Sequence, residues 1–183
     1  GYNSIWGFFG VIQLFFIPFI IAIFFFTNFK VVSPGASDNL TGTIMSVAIA
    51  KYLKEEGINF EHTKVKFLLT GSEEAGLCGA KAYIKAHEKE LKKKESVLIV
   101  LESFCELKYL AVCDKDLNGT VKNHPGVCLL LKNASKVHNI DLIYQTVYIG
   151  ATDAAAFSKA RIPAASFEAM DPGPPRWYHT RYD

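Results

Sequence analysis

A long apolar segment at the start of the chain restricts most strongly what these 183 residues can fold into. No Asp, Glu, Lys or Arg occurs between Gly1 and Phe29, and Ile5 to Phe26 is almost wholly apolar. These 22 positions match the roughly 20 apolar residues that a helix needs to cross a bilayer. A signal peptide would start with basic residues and end at small ones, whereas this segment ends in three Phe residues. The sequence therefore predicts an integral membrane protein with a transmembrane segment at 1–30, embedded in lipid through residues 5–26, and leaves the side of the membrane open.

Residues 31–183 read as a separate domain in which strand and helix patterns alternate. Short runs rich in β-branched and other apolar residues predict strands at Lys64–Thr70, Ser96–Leu101, Lys108–Cys113, Leu142–Val147 and Ile162–Phe167. Helical spacing predicts helices at Thr41–Glu56, Leu77–Lys94, Gly126–Val137 and Thr152–Ala160. This alternation predicts an α/β fold. We expect a three-layer sandwich with a mixed, largely parallel central sheet and helices on both faces, preceded by the transmembrane helix.

Charge and cysteine content argue against several classes of protein. The formal net charge is +2, and the positive residues are scattered or helical, as in Lys92–Lys94. No basic stripe of the kind that nucleic acid requires is present in the sequence, so we expect no nucleic-acid partner. The four Cys residues have no C-x-x-C or other ligand spacing, which favours small buried thiols over a cysteine metal site or disulfides.

Acidic residues follow the predicted strands in positions that suit a metal site. Glu73 and Glu74 come after one strand, Glu102 directly follows the most hydrophobic strand, and Asp38 precedes a helix. In open α/β sheets, ligands bind outside the carboxyl ends of the strands. Taken singly, Asp38 is explained as a helix N-cap, and the Glu pair as solvated residues at a helix start. Together with His179, these carboxylates form a donor set that suits zinc.

Three segments resemble the motifs of a known peptidase family. Pro34–Gly42 resembles the family's PGAxDNxSG motif, Ser72–Ala80 resembles EExGLxGS, and Tyr178–Asp183 is similar to YHTxxD. The family is the two-zinc aminopeptidases of metallopeptidase family twenty-eight. The resemblance extends over about Val32–Asp183, with the motifs in the same order.

The resemblance implies a role for each of the acidic residues. Asp38 would bridge two zinc ions, and Glu74 and His179 would complete the first zinc. Glu102, at a position where the family usually has Asp, would bind the second zinc. Glu73 would be the general base that takes a proton from the attacking water.

Further residues would have supporting roles: Asp153, Asn39 and Tyr178. The implied activity is zinc-dependent hydrolysis of a peptide substrate, with release of N-terminal amino acids. Residues 31–183 would then be the zinc peptidase catalytic domain, incomplete at its N-terminal side and possibly at its C-terminal end.

One expected ligand is missing from the pattern. The family's second zinc also takes a His from an H-x-D motif upstream of the bridging Asp, but the first His here is His62. Phe26–Phe29 stands where a compact member has that motif. Either the His precedes Gly1, with membrane segments inserted after it, or the ligand has been lost. We favour the first explanation because the other site positions are present, and we expect this chain alone to hold its second zinc poorly.

Two other interpretations remain open. A glutaminyl cyclase resembles this fold but uses a single zinc, so an upstream H-x-D motif would argue against it. A non-catalytic membrane receptor or scaffold of the same fold would generally have lost site residues. This chain keeps Asp38, Glu73, Glu74, Glu102 and His179.

Overall fold

A computed structural model describes residues 2–26, 30–173 and 175–183. Its helices are α1 (Tyr2–Phe26), α2 (Thr41–Glu55), α3 (Cys78–Lys93), α4 (Pro125–Val137) and α5 (Asp153–Lys159). Its strands are β1 (Leu98–Phe104), β2 (Leu110–Asp116), β3 (Val121–Lys122), β4 (Ile143–Thr146) and β5 (Ala164–Ala169). A tight turn at Ala36–Leu40 precedes α2, and a single short helical turn at Leu107–Tyr109 precedes β2.

The helix α1 is long and apolar enough to cross a bilayer. Its Ile5–Phe25 segment has 21 residues and a mean hydropathy of 2.6, and none of that segment is buried against the rest of the protein. The segment is therefore not packed into the core of the described domain. A membrane span and a signal sequence both have this length and composition.

The strands form one mixed sheet. Strand β1 pairs with β5 in parallel, and β5 pairs with β2 in the antiparallel direction. Strand β2 also pairs with β4 in parallel and with the short β3 in the antiparallel direction. The fold class is thereby confirmed as α/β with a mixed sheet, in which two of the four described pairings are parallel.

Helices cover the sheet on both faces because neighbouring residues of a strand point to opposite sides. On one face, Ala164 of β5 belongs to a core cluster with α3 and α5, in which Phe157 is the largest buried side chain. On the other face, Ala165 belongs to a cluster with Val127 of α4 and with Val112. The helix α2 packs against β1 at the end of the sheet that carries the acidic residues.

The strand predicted at Lys64–Thr70 is wrong. The structure assigns no strand to these residues, and no described strand forms a ladder with them. Leu68 and Leu69 line the same cavity as β1, and the described ladders do not join the two segments. The short apolar run matches the composition of a strand, but a strand also requires a neighbour within about 5 Å.

The end of β1 also differs from the prediction, and β3 was not predicted. Strand β1 continues to Phe104, so Glu102 lies inside the strand and pairs with Glu168 of β5, instead of following the strand's end. The short strand β3 has only two residues, which is too short for a recognisable alternation in sequence.

Candidate metal and active site

Three side chains from distant parts of the chain meet at one point. The Nε2 atom of His179 lies 2.9 Å from Oδ2 of Asp38 and 3.0 Å from Oε1 of Glu74. One ligand atom of each residue lies within 4.8 Å of the other two. The cluster opens to solvent on one side, because 64% of the Glu74 side chain and 12% of the Asp38 side chain are exposed.

Asn39 fixes Asp38 relative to the sheet. Its side-chain amide donates from Nδ2 to the carbonyl of Leu101 in β1 at 2.8 Å. Its Oδ1 accepts hydrogen bonds from the backbone N–H groups of Ser103 and Gly42, at 3.1 and 2.9 Å. The Asn39 side chain therefore joins the Ala36–Leu40 turn, the start of α2 and the end of β1 that carries Glu102. The adjoining Asp38–Asn39 peptide bond is cis.

Gly42 permits the close approach of α2 to β1. A Cβ atom at this position would lie 2.3 Å from the carbonyl oxygen of Leu101 and 2.5 Å from Oδ1 of Asn39.

We therefore expect Gly42→Ala to lower the free energy of unfolding by about 1–3 kcal/mol, the usual cost of overpacking, and to weaken metal binding by displacing Asp38. Urea unfolding and a zinc titration measure the two effects. Gly10→Ala is the matched control, since nothing lies within 4 Å of its added Cβ, and a Gly42→Ala protein as stable as that control would contradict the account.

The loop at residues 70–77 positions the two glutamates. The N–H groups of Gly76 and Leu77 donate to the carbonyl of Glu73 at 2.8 and 2.7 Å, which closes a tight turn around the pair. The N–H of Gly79 donates to the carbonyl of Gly71 at 3.0 Å, and a Cβ atom on Gly79 would lie 2.3 Å from that oxygen. The start of α3 therefore holds the loop in place.

Asp153 connects this loop to the rest of the domain. Its Oδ2 accepts a hydrogen bond of 2.5 Å from Oγ1 of Thr70. The preceding residue, Thr152, donates from Oγ1 and from its N–H to the buried carboxylate of Asp116, at 2.6 and 2.9 Å. Asp153 therefore lies at the start of α5 between the sheet and the loop that carries Glu73.

Repulsion and burial make the site favourable for a cation. The cavity beside β1 has a volume of about 390 Å³, and Asp38, Glu73, Glu74, Glu102 and Asp153 line it without any Lys or Arg among the lining residues. Burial raises the pKa of Glu73 to about 7, helped by the charges of Glu74 and Asp153. Burial also raises the pKa of Glu102 well above its usual range, with the Asp38 charge second. Metal ions would relieve this repulsion.

His179 is supported by its neighbour in sequence. The ring of Tyr178 stacks on the imidazole, with the centroids 3.9 Å apart and the planes 20° apart. Burial raises the pKa of the Tyr178 hydroxyl, helped by the charges of Asp38 and Glu74. Tyr178 therefore remains a neutral hydroxyl against the carboxylates.

The donor set fits zinc. An imidazole nitrogen and two carboxylates are ligands that zinc takes in catalytic sites, with a further position left for water or substrate. Asp38 also lines the cavity that Glu102 lines, while Glu102 is outside the three-residue cluster. Asp38 thus belongs to the cluster with Glu74 and His179, and its charge also acts on Glu102 in the same cavity. The H-x-D position considered at Phe26–Phe29 falls on residues 27–29, outside the described residues.

Sequence reasoning missed some of the residues that hold the site. Oδ1 of Asp183 accepts a hydrogen bond of 2.8 Å from the N–H of Ser37, the residue before Asp38. Asp116 and Thr70 were also missed, although they anchor Asp153. Asp183 is the last residue of the YHTRYD segment, so its place in that motif was a usable signal. Asp116 and Thr70 lie in no motif quoted above.

Comparison with known proteins identifies the family. Residues 24–183 match the sequence model of a family described as Peptidase family M28. This range excludes most of α1. Aminopeptidase YwaD of Bacillus subtilis (strain 168) is 31% identical over 161 residues, which cover 82% of this chain and 33% of that protein.

Solved structures of aminopeptidases are similar to this chain as well. BSAP, a zinc aminopeptidase from Bacillus subtilis, superimposes with a TM-score of 0.67 and 30% identity, covering 82% of this chain and 37% of BSAP. The aminopeptidase from Aneurinibacillus sp. strain AM-1 gives a TM-score of 0.61 and 25% identity, covering 82% of this chain and 34% of the other. The chain therefore spans about a third of the length of these relatives. Since the family match extends over most of the chain, this protein belongs to peptidase family M28.

Proposed function

We propose that the protein is a zinc-dependent peptidase that releases N-terminal amino acids from peptides. The observation that carries this proposal is the meeting of Asp38, Glu74 and His179 within 4.8 Å of one another, directly beside Glu73. BSAP, which is named as a zinc aminopeptidase, supports the metal. BSAP and YwaD, which is named as an aminopeptidase, support the reaction. The chain covers about a third of those relatives, so the activity proposed is that of the whole protein.

Zinc would be held by Asp38, Glu74 and His179, and would supply a polarised substrate carbonyl and a more acidic water. We propose that Asp38 also contributes to a second zinc together with Glu102. The His of an upstream H-x-D motif would complete that second site.

The proposed general base is Glu73. Its carboxylate lines the same cavity as the ligands Asp38 and Glu74 but is not part of the three-residue cluster. A carboxylate that reaches the attacking water without binding the metal itself is placed to accept a proton and to return it. Glu73 would take the proton from the attacking water and pass it to the amine that leaves.

The remaining residues orient this pair. Asp153 holds the Glu73 loop through Thr70, and Asn39 holds Asp38 against β1. Tyr178 keeps the His179 ring in one orientation by stacking. Preorganised groups of this kind reduce the rearrangement needed on the way to the transition state.

We propose that α1 anchors residues 31–183 to a membrane. Its length, its mean hydropathy of 2.6 and the exposure of its Ile5–Phe25 segment support this proposal. The anchor would confine hydrolysis to peptides near the bilayer surface.

The test is hydrolysis of a leucyl peptide by the zinc-loaded protein, followed by mass spectrometry. We expect release of free Leu from the unmodified peptide, no cleavage of its N-acetylated form, loss of activity with a chelator and recovery with zinc. Internal cleavage of both forms would contradict an aminopeptidase. Cyclisation of an N-terminal Gln peptide without Leu release would instead favour the cyclase, and no turnover at all would favour a non-catalytic protein.

A further inference from the structure

A second cavity opens from the same pair of glutamates and differs in charge from the first. It has a volume of about 290 Å³ and lies beside the start of α3 and along α5, whose last residue is Lys159. The cavity is lined by residues of the candidate site, Glu73, Glu74 and His179. Its lining also includes Lys81, Lys159 and Asn118. Its volume is close to the lower end of the range for small-ligand clefts, about 300–1,000 Å³.

The two lysines carry charges that the protein does not neutralise. Lys81 donates from Nζ to the carbonyl of Gly76 at 2.6 Å, and this is a neutral partner. In the part of the chain that the structure describes, neither Lys81 nor Lys159 forms an ion pair with a carboxylate. An unpaired ammonium that lines a cavity attracts an anionic group of a ligand.

The first cavity has the opposite character. Its ionisable lining consists of carboxyl groups alone, five in number, of which Asp38, Glu74 and Glu102 are the proposed zinc ligands. Because Glu73 and Glu74 line both cavities, the cavities meet at the proposed catalytic pair. A peptide across this junction would have its charged N-terminal amine attracted to the carboxylate side and repelled from the lysine side.

We propose that the second cavity binds the residue that follows the scissile bond, and that Lys81 and Lys159 select for an acidic side chain there. The inference rests on the proposed aminopeptidase function and adds the substrate class. The lysines are specificity-determining residues in this proposal and do not touch the reacting atoms. The preferred substrates are peptides with Asp or Glu in the second position.

The test compares two peptides that differ only in charge, Leu-Glu-amide and Leu-Gln-amide, on the zinc-loaded protein at low ionic strength. We expect a kcat/KM ratio of about three or more in favour of Leu-Glu-amide, the size typical of partly exposed charge pairs. The ratio should fall towards one at about 1 M salt, where the screening length is about 3 Å.

Substitutions of individual lysines test which residues cause the preference for Leu-Glu-amide. Lys81→Met combined with Lys159→Met should bring the ratio to about one. Lys85→Met, an exposed lysine of α3 outside both cavities, should leave the ratio as in the wild type. In Lys159→Glu, Leu-Lys-amide should gain relative to Leu-Gln-amide.

Four results would overturn the inference. A wild-type ratio of one, or a ratio that survives the double substitution, would remove the lysines from substrate selection while leaving the aminopeptidase function intact. A preference for Glu in the first position only, seen with Glu-Ala-amide against Gln-Ala-amide, would place the cavity on the other side of the bond. Failure to cleave any of these peptides would overturn the proposed function itself, and the inference with it.

Discussion

Glu73→Gln is expected to lower kcat for peptide hydrolysis by about 100- to 10,000-fold while zinc remains bound. General acid–base catalysis contributes a factor of that order, and the amide has nearly the same shape as the carboxylate but does not accept a proton. Glu73 lies outside the cluster of Asp38, Glu74 and His179, so zinc content should not fall. Steady-state kinetics on a leucyl peptide, with metal analysis of the same samples, measure both quantities.

Glu61→Gln is the matched control, because Glu61 is an exposed glutamate outside the cavities that Glu73 lines. It should retain wild-type kcat. A Glu73→Gln protein that hydrolyses peptides at the wild-type rate would refute the base assignment. A Glu73→Gln protein that loses zinc would make Glu73 a ligand.

Glu74→Ala and His179→Ala are expected to reduce zinc affinity by more than about 100-fold. Loss of a residue that only orients a ligand already costs about 10- to 100-fold, and these two side chains supply ligand atoms themselves. Each substitution removes one of the three groups that meet within 4.8 Å. The measurement is a competitive zinc titration against a chelator, and activity should fall in parallel.

The controls remove the same residue types elsewhere. Glu106→Ala deletes an exposed glutamate that pairs with Lys108, and His62→Ala deletes an exposed histidine beside Glu61. Neither should change zinc affinity. If Glu74→Ala bound zinc as tightly as Glu106→Ala, the ligand assignment would be wrong.

The candidate site was predictable because its residues are marked by local sequence. Asp38, Glu73 and Glu74 lie in short motifs whose glycines have a physical purpose. Gly42 permits α2 to approach β1, and Gly79 permits α3 to approach the Glu73 loop. Each motif contains residues that make several close contacts in the fold. Three such motifs in the family's order therefore indicate a site, even though Asp38 and His179 are 141 residues apart.

The supporting contacts were less accessible to sequence reasoning. Thr70 and Asp153 are 83 residues apart, and Asp116 and Thr152 are 36 apart. Each is an ordinary polar residue until the fold brings its partner within hydrogen-bond distance. Their roles depend on tertiary packing, which local pattern does not encode.

The error at Lys64–Thr70 has a related cause. A short run that contains Val65, Phe67 and Leu69 is typical of a strand. In the structure these three side chains are exposed, and no described strand pairs with the segment. Strand formation depends on a hydrogen-bonded neighbour, and the sequence of the segment alone does not reveal whether one lies beside it.

The position of bound zinc tests the central claim most directly. Crystals of the zinc-loaded protein, measured with X-rays on both sides of the zinc absorption edge, would give an anomalous peak at each zinc. We predict a peak about 2.0–2.2 Å from Nε2 of His179 and from carboxylate oxygens of Glu74 and Asp38, with Glu73 beside it and not bound to it. A protein whose zinc peaks lie only at other sites, such as His62 or His138, would contradict the account.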